Sequence, residues 1–138
     1  MTALYTAHAF ATAGRNGHAE TDDGVVKVDL SVPKPMGGEG RAGATNPEQL
    51  FAVGYAACFG GAVEYVAGSH KVRHGGVRVD SAVTFNKDDS GFFISVVLSV
   101  HVAGVDRATA EKLVAEAHTV CPYSKATRGN INVELKVA

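Results

Sequence analysis

The stretch Asn46 to Ser69, NPEQLFAVGYAACFGGAVEYVAGS, constrains this chain more than any other. Its start reads as a helix N-terminus. Asn46 can cap, Pro47 suits the first helical position, and Gln49 stands where a capping-box partner reaches back. Leu50, Phe51, Val53, Tyr55, Phe59, Val63 and Val66 then point in nearly every direction around the helical period, so no wide polar face remains. A helix apolar all round is a buried helix. For a membrane span its uninterrupted apolar length is short and its Gly and Ala content high. Gly54, Ala57, Cys58 and Gly61 add a small-residue stripe along which another backbone can come close.

The remaining segments decide what can surround this helix. Leu4 to Thr12 alternates loosely, as a strand leading into the turn Gly14-Arg15-Asn16-Gly17. His18–Thr21 and Val25–Val32 flank Asp22-Asp23-Gly24 as a hairpin, with Val26, Val28, Leu30 and Val32 on one face, until Pro33 ends it. Residues 33–46 form a Gly- and Pro-rich loop whose length without periodicity marks it as functional. After the helix, Val77–Phe85 and Phe92–Val102 alternate as two long strands around a turn over Asn86–Gly91. Asp106 caps an amphipathic helix with Ala110, Leu113, Val114 and Ala117 on one stripe, interrupted at Cys121-Pro122, and Ile131–Val137 reads as a last strand. The pattern is α+β: mostly antiparallel strands with a buried central helix and a second, amphipathic helix. A length of 138 residues gives one domain, 1–138, yet one sheet and one further helix do not enclose a helix on all sides. A second copy of the chain does, which predicts a homodimer.

A net charge of −1 argues against nucleic acid or an anionic membrane as partner. The N-terminus has no continuous apolar core for a signal peptide, which predicts a reducing cytoplasm where a structural disulfide would be out of place. The two cysteines, Cys58 and Cys121, therefore read as free thiols or as a working redox pair; they form neither a CxxC motif nor a zinc cluster. Cys58 in an apolar helix is disfavoured as a thiolate, and a reactive Cys58 needs a cation from elsewhere. Arg15, Arg41 and Arg128 all stand in Gly-containing loops, and Glu48 in the first turn of the central helix is the natural carboxylate to hold one of them. Glu48 equally suits that turn as a dipole-stabilising acid, and Arg15 equally suits a solvated turn. Cys121, beside the Pro122 break, has the backbone freedom to move toward Cys58, or is simply a second core thiol. The six histidines include no HExxH, and His70 and His74 lie in a segment without helical pattern, so no metal is expected.

Two long motifs, TNPEQLFAVGYAACF (Thr45–Phe59) and CPYSKATRGN (Cys121–Asn130), resemble the organic hydroperoxide resistance proteins, the Ohr branch of the OsmC/Ohr family. The likeness extends to the GRNG turn, the Gly-rich loop and the closing NINVEL strand. It implies a thiol-dependent peroxidase that works as an intertwined homodimer, with organic hydroperoxides as substrates and no cofactor or metal. Cys58 matches the peroxidatic cysteine and Cys121 the resolving one. Arg15 matches the arginine that contacts the thiolate, and Glu48 the carboxylate that holds this arginine. The resemblance further implies re-reduction by a dithiol, a lipoyl group on a partner protein. Gly40-Arg41-Ala42-Gly43-Ala44 departs from the family's more purely glycine loop and leaves Arg41 as a rival cation. Two other readings stand beside this one: an OsmC-like peroxidase of different substrate preference, and a non-enzymatic dimeric binder of apolar ligands.

Overall fold

Turn chemistry at Gly14–Gly17 and Asp22–Gly24 folds residues 1–50 into an antiparallel sheet. In the computed structural model, which describes residues 1–138, strands β1 (Ala9–Thr12), β2 (His18–Thr21) and β3 (Lys27–Asp29) lie in that order. β1 is shorter than the alternation from Leu4 suggests. Leu4 and Tyr5 are 92% and 85% exposed, so nothing in this unit buries either side chain. β3 is shorter too, and Val26 faces solvent while Leu30 and Ser31 are buried. The cause is the returning loop. Thr45 N–H donates to the Asp29 carbonyl at 2.8 Å and Ser31 N–H donates to Thr45 at 3.0 Å, so Leu30 leaves the hairpin ladder for a parallel bridge with Thr45.

That bridge delivers the chain to α1 (Pro47–Ser69). Asn46 Oδ1 accepts from the Gln49 N–H at 2.8 Å, the cap expected from the sequence. The Gln49 side chain does not complete a capping box; it accepts from the Thr45 hydroxyl at 2.6 Å.

Residues 51–138 form the second unit. β4 (Val77–Asp88) and β5 (Gly91–Val102) pair antiparallel over their whole length, from Val77↔Val102 to Asp88↔Gly91. Their turn is only Asp89-Ser90, tighter than the predicted Asn86–Gly91, because Asp88 Oδ1 accepts from the Ser90 N–H at 2.8 Å and closes it. α2 (Arg107–Val120) is capped by Asp106, whose Oδ1 accepts from the Thr109 N–H at 2.7 Å. A short α3 (Pro122–Thr127) follows, and β6 (Val133–Val137) returns parallel to β5. Pro122 ends α2 but opens α3, since its missing N–H costs nothing at a first helical position.

One core fills this unit. β5 contributes Val96, Leu98, Val100 and Val102, α2 contributes Ala110, Leu113, Val114 and Ala117, and α1 contributes Tyr55, Phe59, Ala62, Val63, Val66 and Ala67. Each fully enclosed Val, Leu or Phe stabilises by about 1.5–3 kcal/mol relative to exposure. The other face of α1 is uncovered in the single chain: Val53 is 71% and Tyr65 68% exposed, with Ala57 and Gly61 between them. By length and composition α1 could also cross a membrane, a test that core helices pass as well.

Candidate active site

The all-apolar helix and the proline break bring the two cysteines together. Cys58, midway along α1, is partly exposed; Cys121, between α2 and α3, is fully buried. Both are free thiols, and the Cys121 Sγ lies 3.4 Å from the Cys58 Sγ as a hydrogen-bond donor. The backbone freedom expected at the Pro122 break is absent. Cys121 N–H donates to Ala117 at 2.8 Å and its carbonyl accepts from the Lys125 N–H at 3.0 Å, so one residue closes α2 and opens α3. Burial pushes the Cys58 thiol above its ordinary value, the Tyr123 N–H pulls it down, and the adjoining Cys121 sulfur adds to the rise. Alone, then, this pocket disfavours the thiolate. The pair needs outside electrostatic help or a pH that supplies thiolate.

In the first unit Arg15 and Glu48 meet fork to fork. Arg15 Nη1 donates to Glu48 Oε2 at 3.0 Å and Nη2 to Oε1 at 2.8 Å. The turn that carries Arg15 is fixed from two sides. Asn16 Oδ1 accepts from the Val32 N–H at 3.0 Å, and any side chain at Gly17 would run into the Thr12 carbonyl. The Glu48 side chain is only 11% exposed against 39% for Arg15, so the carboxylate is the sheltered partner. The guanidinium holds the Glu48 carboxyl below the usual range, and the same hydrogen bonds raise Arg15. The other two arginines are occupied differently: Arg41 Nη2 donates to the Leu30 carbonyl at 3.0 Å and Arg128 Nη1 to the His118 carbonyl at 2.7 Å. His70 and His74 do not converge. His70 pairs with Glu116 at 2.7 Å, while His74 Nδ1 accepts from the Gly76 N–H at 3.0 Å.

Around the thiols lies a polar group of side chains that the sequence reading missed. The Tyr55 hydroxyl is 2.8 Å from Ser124 Oγ and 3.2 Å from Thr127 Oγ1, and His118 Nδ1 is 2.8 Å from the same Ser124 Oγ. Tyr55, Ser124 and Thr127 are buried; burial, and then the charge of Arg128, push His118 below its ordinary value. The available signal was Tyr55 itself, because a phenol inside an apolar helix needs a partner. Phe51, Tyr55 and Tyr123 form an aromatic cluster, with ring centres 5.6–5.9 Å apart.

Comparison with known proteins concerns the chain as a whole. Residues 38–136 match the family model of OsmC-like proteins. The chain is 52% identical to an organic hydroperoxide resistance protein of Xanthomonas axonopodis pv. citri, over 98% of this chain and 95% of the relative. It is 49% identical to the organic hydroperoxide resistance protein OhrB of Bacillus subtilis, over 98% of both. A crystal structure of an organic hydroperoxide resistance protein from Legionella pneumophila superimposes with a TM-score of 0.93 at 51% identity, covering 99% of each chain.

Proposed function

The chain belongs to the OsmC-like family, in its organic hydroperoxide resistance (Ohr) branch, and from that premise we propose that it is a cysteine-based peroxidase acting on organic hydroperoxides. The observation that carries the proposal is the pair of free thiols at 3.4 Å, one partly open and one sealed. In the proposed cycle the Cys58 thiolate attacks the distal peroxide oxygen. The O–O bond breaks, the alkoxide leaves and takes a proton as the alcohol, and Cys58 becomes a sulfenic acid. The Cys121 sulfur then attacks the Cys58 sulfur, the S–O bond breaks, and water departs with the thiol proton. A dithiol restores both cysteines by two exchange steps and leaves as its own disulfide.

Arg15 is assigned to the Cys58 thiolate as its cation, with Glu48 holding the guanidinium in aim. Support comes from the family motif and from the bidentate Arg15–Glu48 pair, a geometry that a lysine could not make. An arginine also keeps its charge when partly shielded, which is what a thiol raised by burial needs. Apolar side chains near the thiols suit an alkyl or fatty-acyl tail better than hydrated hydrogen peroxide. The proposed reductant is a lipoyl dithiol on a partner protein, and the proposed setting is the cytoplasm. A homodimer is proposed because the face of α1 with Val53, Ala57, Gly61 and Tyr65 is apolar, and flat enough at its small residues for a second helix.

The test is mass spectrometry after one equivalent of tert-butyl hydroperoxide, followed by turnover with dihydrolipoamide on tert-butyl, fatty-acid and hydrogen peroxides. A Cys58–Cys121 disulfide and a preference for the organic peroxides are expected. Cys58→Ser abolishes turnover, whereas Cys121→Ser consumes one equivalent and stalls. Unmodified thiols after peroxide would leave a dimeric apolar binder as the better reading.

A further inference from the structure

Cys121 must not only be near Cys58 but stay near it after Cys58 has changed chemically, and nothing in its own side chain ensures that. Its position is set by the angle between α2 and α3, because it caps one helix and starts the other. One buried hydroxyl ties these two helices to each other and to α1. Ser124 Oγ on α3 meets the Tyr55 hydroxyl of α1 at 2.8 Å and His118 Nδ1 of α2 at 2.8 Å, so a single atom joins three helices. Thr127 closes the chain, 3.2 Å from the Tyr55 hydroxyl and 3.3 Å from the Ser124 carbonyl, to which it donates.

The donors and acceptors balance in either direction. With a proton on His118 Nδ1, the imidazole donates to Ser124, Ser124 to Tyr55, Tyr55 to Thr127, and Thr127 to the Ser124 carbonyl. With the other neutral tautomer, Thr127 donates to Tyr55, Tyr55 to Ser124 and Ser124 to His118. Either way each hydroxyl donates once, so the link persists through a tautomer change. Hydrogen-bonded hydroxyls at this depth are directional in a way that the surrounding aliphatic packing is not. Their loss leaves buried groups unsatisfied and α3 free to shift.

We propose, building on the peroxidase reading, that the buried chain Tyr55–Ser124–His118 with Thr127 positions Cys121 for disulfide formation, by locking α3 at the angle that keeps the two sulfurs in reach. These are positioning residues: they touch neither peroxide nor sulfur in the proposed cycle. The present separation of 3.4 Å falls within the near-attack range. A displacement of about 1 Å at such a distance slows a reaction by up to about a hundredfold.

The experiment follows both steps in a single turnover. Reduced protein is mixed with one equivalent of tert-butyl hydroperoxide, quenched with acid, alkylated, and scored by mass for sulfenic acid and Cys58–Cys121 disulfide. In Ser124→Ala and in Tyr55→Phe, peroxide is consumed at the wild-type rate while disulfide formation slows about tenfold and Cys58 sulfenic acid accumulates. The double variant slows little further, because each single change already breaks the same chain. Val66→Ala, a buried α1 change that removes no hydrogen bond, controls for general loosening and leaves the condensation rate intact. Equal slowing in Val66→Ala, or wild-type disulfide rates in both hydroxyl variants, overturns the positioning role and leaves the peroxidase reading standing. Absence of any disulfide in the wild type overturns both.

Discussion

Replacing Gly54 by alanine sets two known effects against each other, and the structure says which background reveals them. Gly54 lies in the interior of α1, one turn before Cys58. On helix propensity alone, Ala there stabilises by about 1 kcal/mol. The added Cβ, however, would stand 2.8 Å from the Tyr123 hydroxyl oxygen and 3.3–3.4 Å from its ring carbons. Overpacking of this kind costs about 1–3 kcal/mol. The lower end applies here, because Tyr123 is 38% exposed and its ring can swing outward. The two effects nearly cancel, so Gly54→Ala should fall within about 1 kcal/mol of wild type. In a Tyr123→Ala background the clash is gone and the same substitution should stabilise by about 1 kcal/mol, giving a coupling energy of about 1–2 kcal/mol. Urea unfolding followed by far-UV circular dichroism, at one fixed protein concentration, measures all four corners. The near-UV tyrosine signal should change when Gly54→Ala is made in the wild-type background and not when it is made in Tyr123→Ala. An equal gain of about 1 kcal/mol in both backgrounds would refute the close approach of Tyr123 to the α1 backbone.

Three further outcomes are expected. Thiolate absorbance against pH should show the Cys58 thiol rising in Arg15→Ala and only partly restored in Arg15→Lys; a rise in Arg41→Ala without one in Arg15→Ala would move the cation's role to the glycine-rich loop. Glu48 has a depressed folded-state pKa, so its contribution is present above the ordinary carboxylate value and lost as pH falls through the depressed one. Glu48→Gln should therefore lower stability by about 1 kcal/mol at pH 7 and by progressively less as the pH falls through the depressed value, with unchanged acid sensitivity as the contrary result. Sedimentation equilibrium at micromolar concentration should give a dimer, and Val53→Asp should weaken it; a compact stable monomer would sink the argument from the exposed α1 face.

What could be read from the sequence follows the range of the interactions involved. The α2 stripe of Ala110, Leu113, Val114 and Ala117 and the Asn46 and Asp106 caps are local, and they appear where the residue pattern puts them. The end of β3 was not legible, because it depends on Thr45 returning to bridge Leu30. Asn86–Gly91 is turn-like throughout, and only the Asp88 side chain selects Asp89-Ser90. Pro122 read as a break because a proline ends one helix and starts another with the same chemistry. Among the site residues, the pattern left Arg15, Arg41 and Arg128 level; the family motif singled out Arg15, which is the one joined to Glu48. The Tyr55–Ser124 contact spans 69 positions, beyond any periodicity in the chain.

The unequal burial of the two sulfurs gives the proposed disulfide an inside and an outside. Cys121 is sealed and Cys58 partly open, so an incoming thiolate meets the bond only at Cys58. Electrons would enter at the atom where oxygen arrived. The group expelled is Cys121, which is buried beside Cys58 and so quick to return. A monothiol that opens the bond therefore leaves itself attached to Cys58, with Cys121 poised to throw it off again and close the disulfide. A reductant carrying a second thiol escapes this futility, since its own neighbour displaces it from Cys58 before Cys121 can. Selectivity for dithiols would then need no docking surface for the reductant at all, being a kinetic filter made from the depth at which one sulfur is kept.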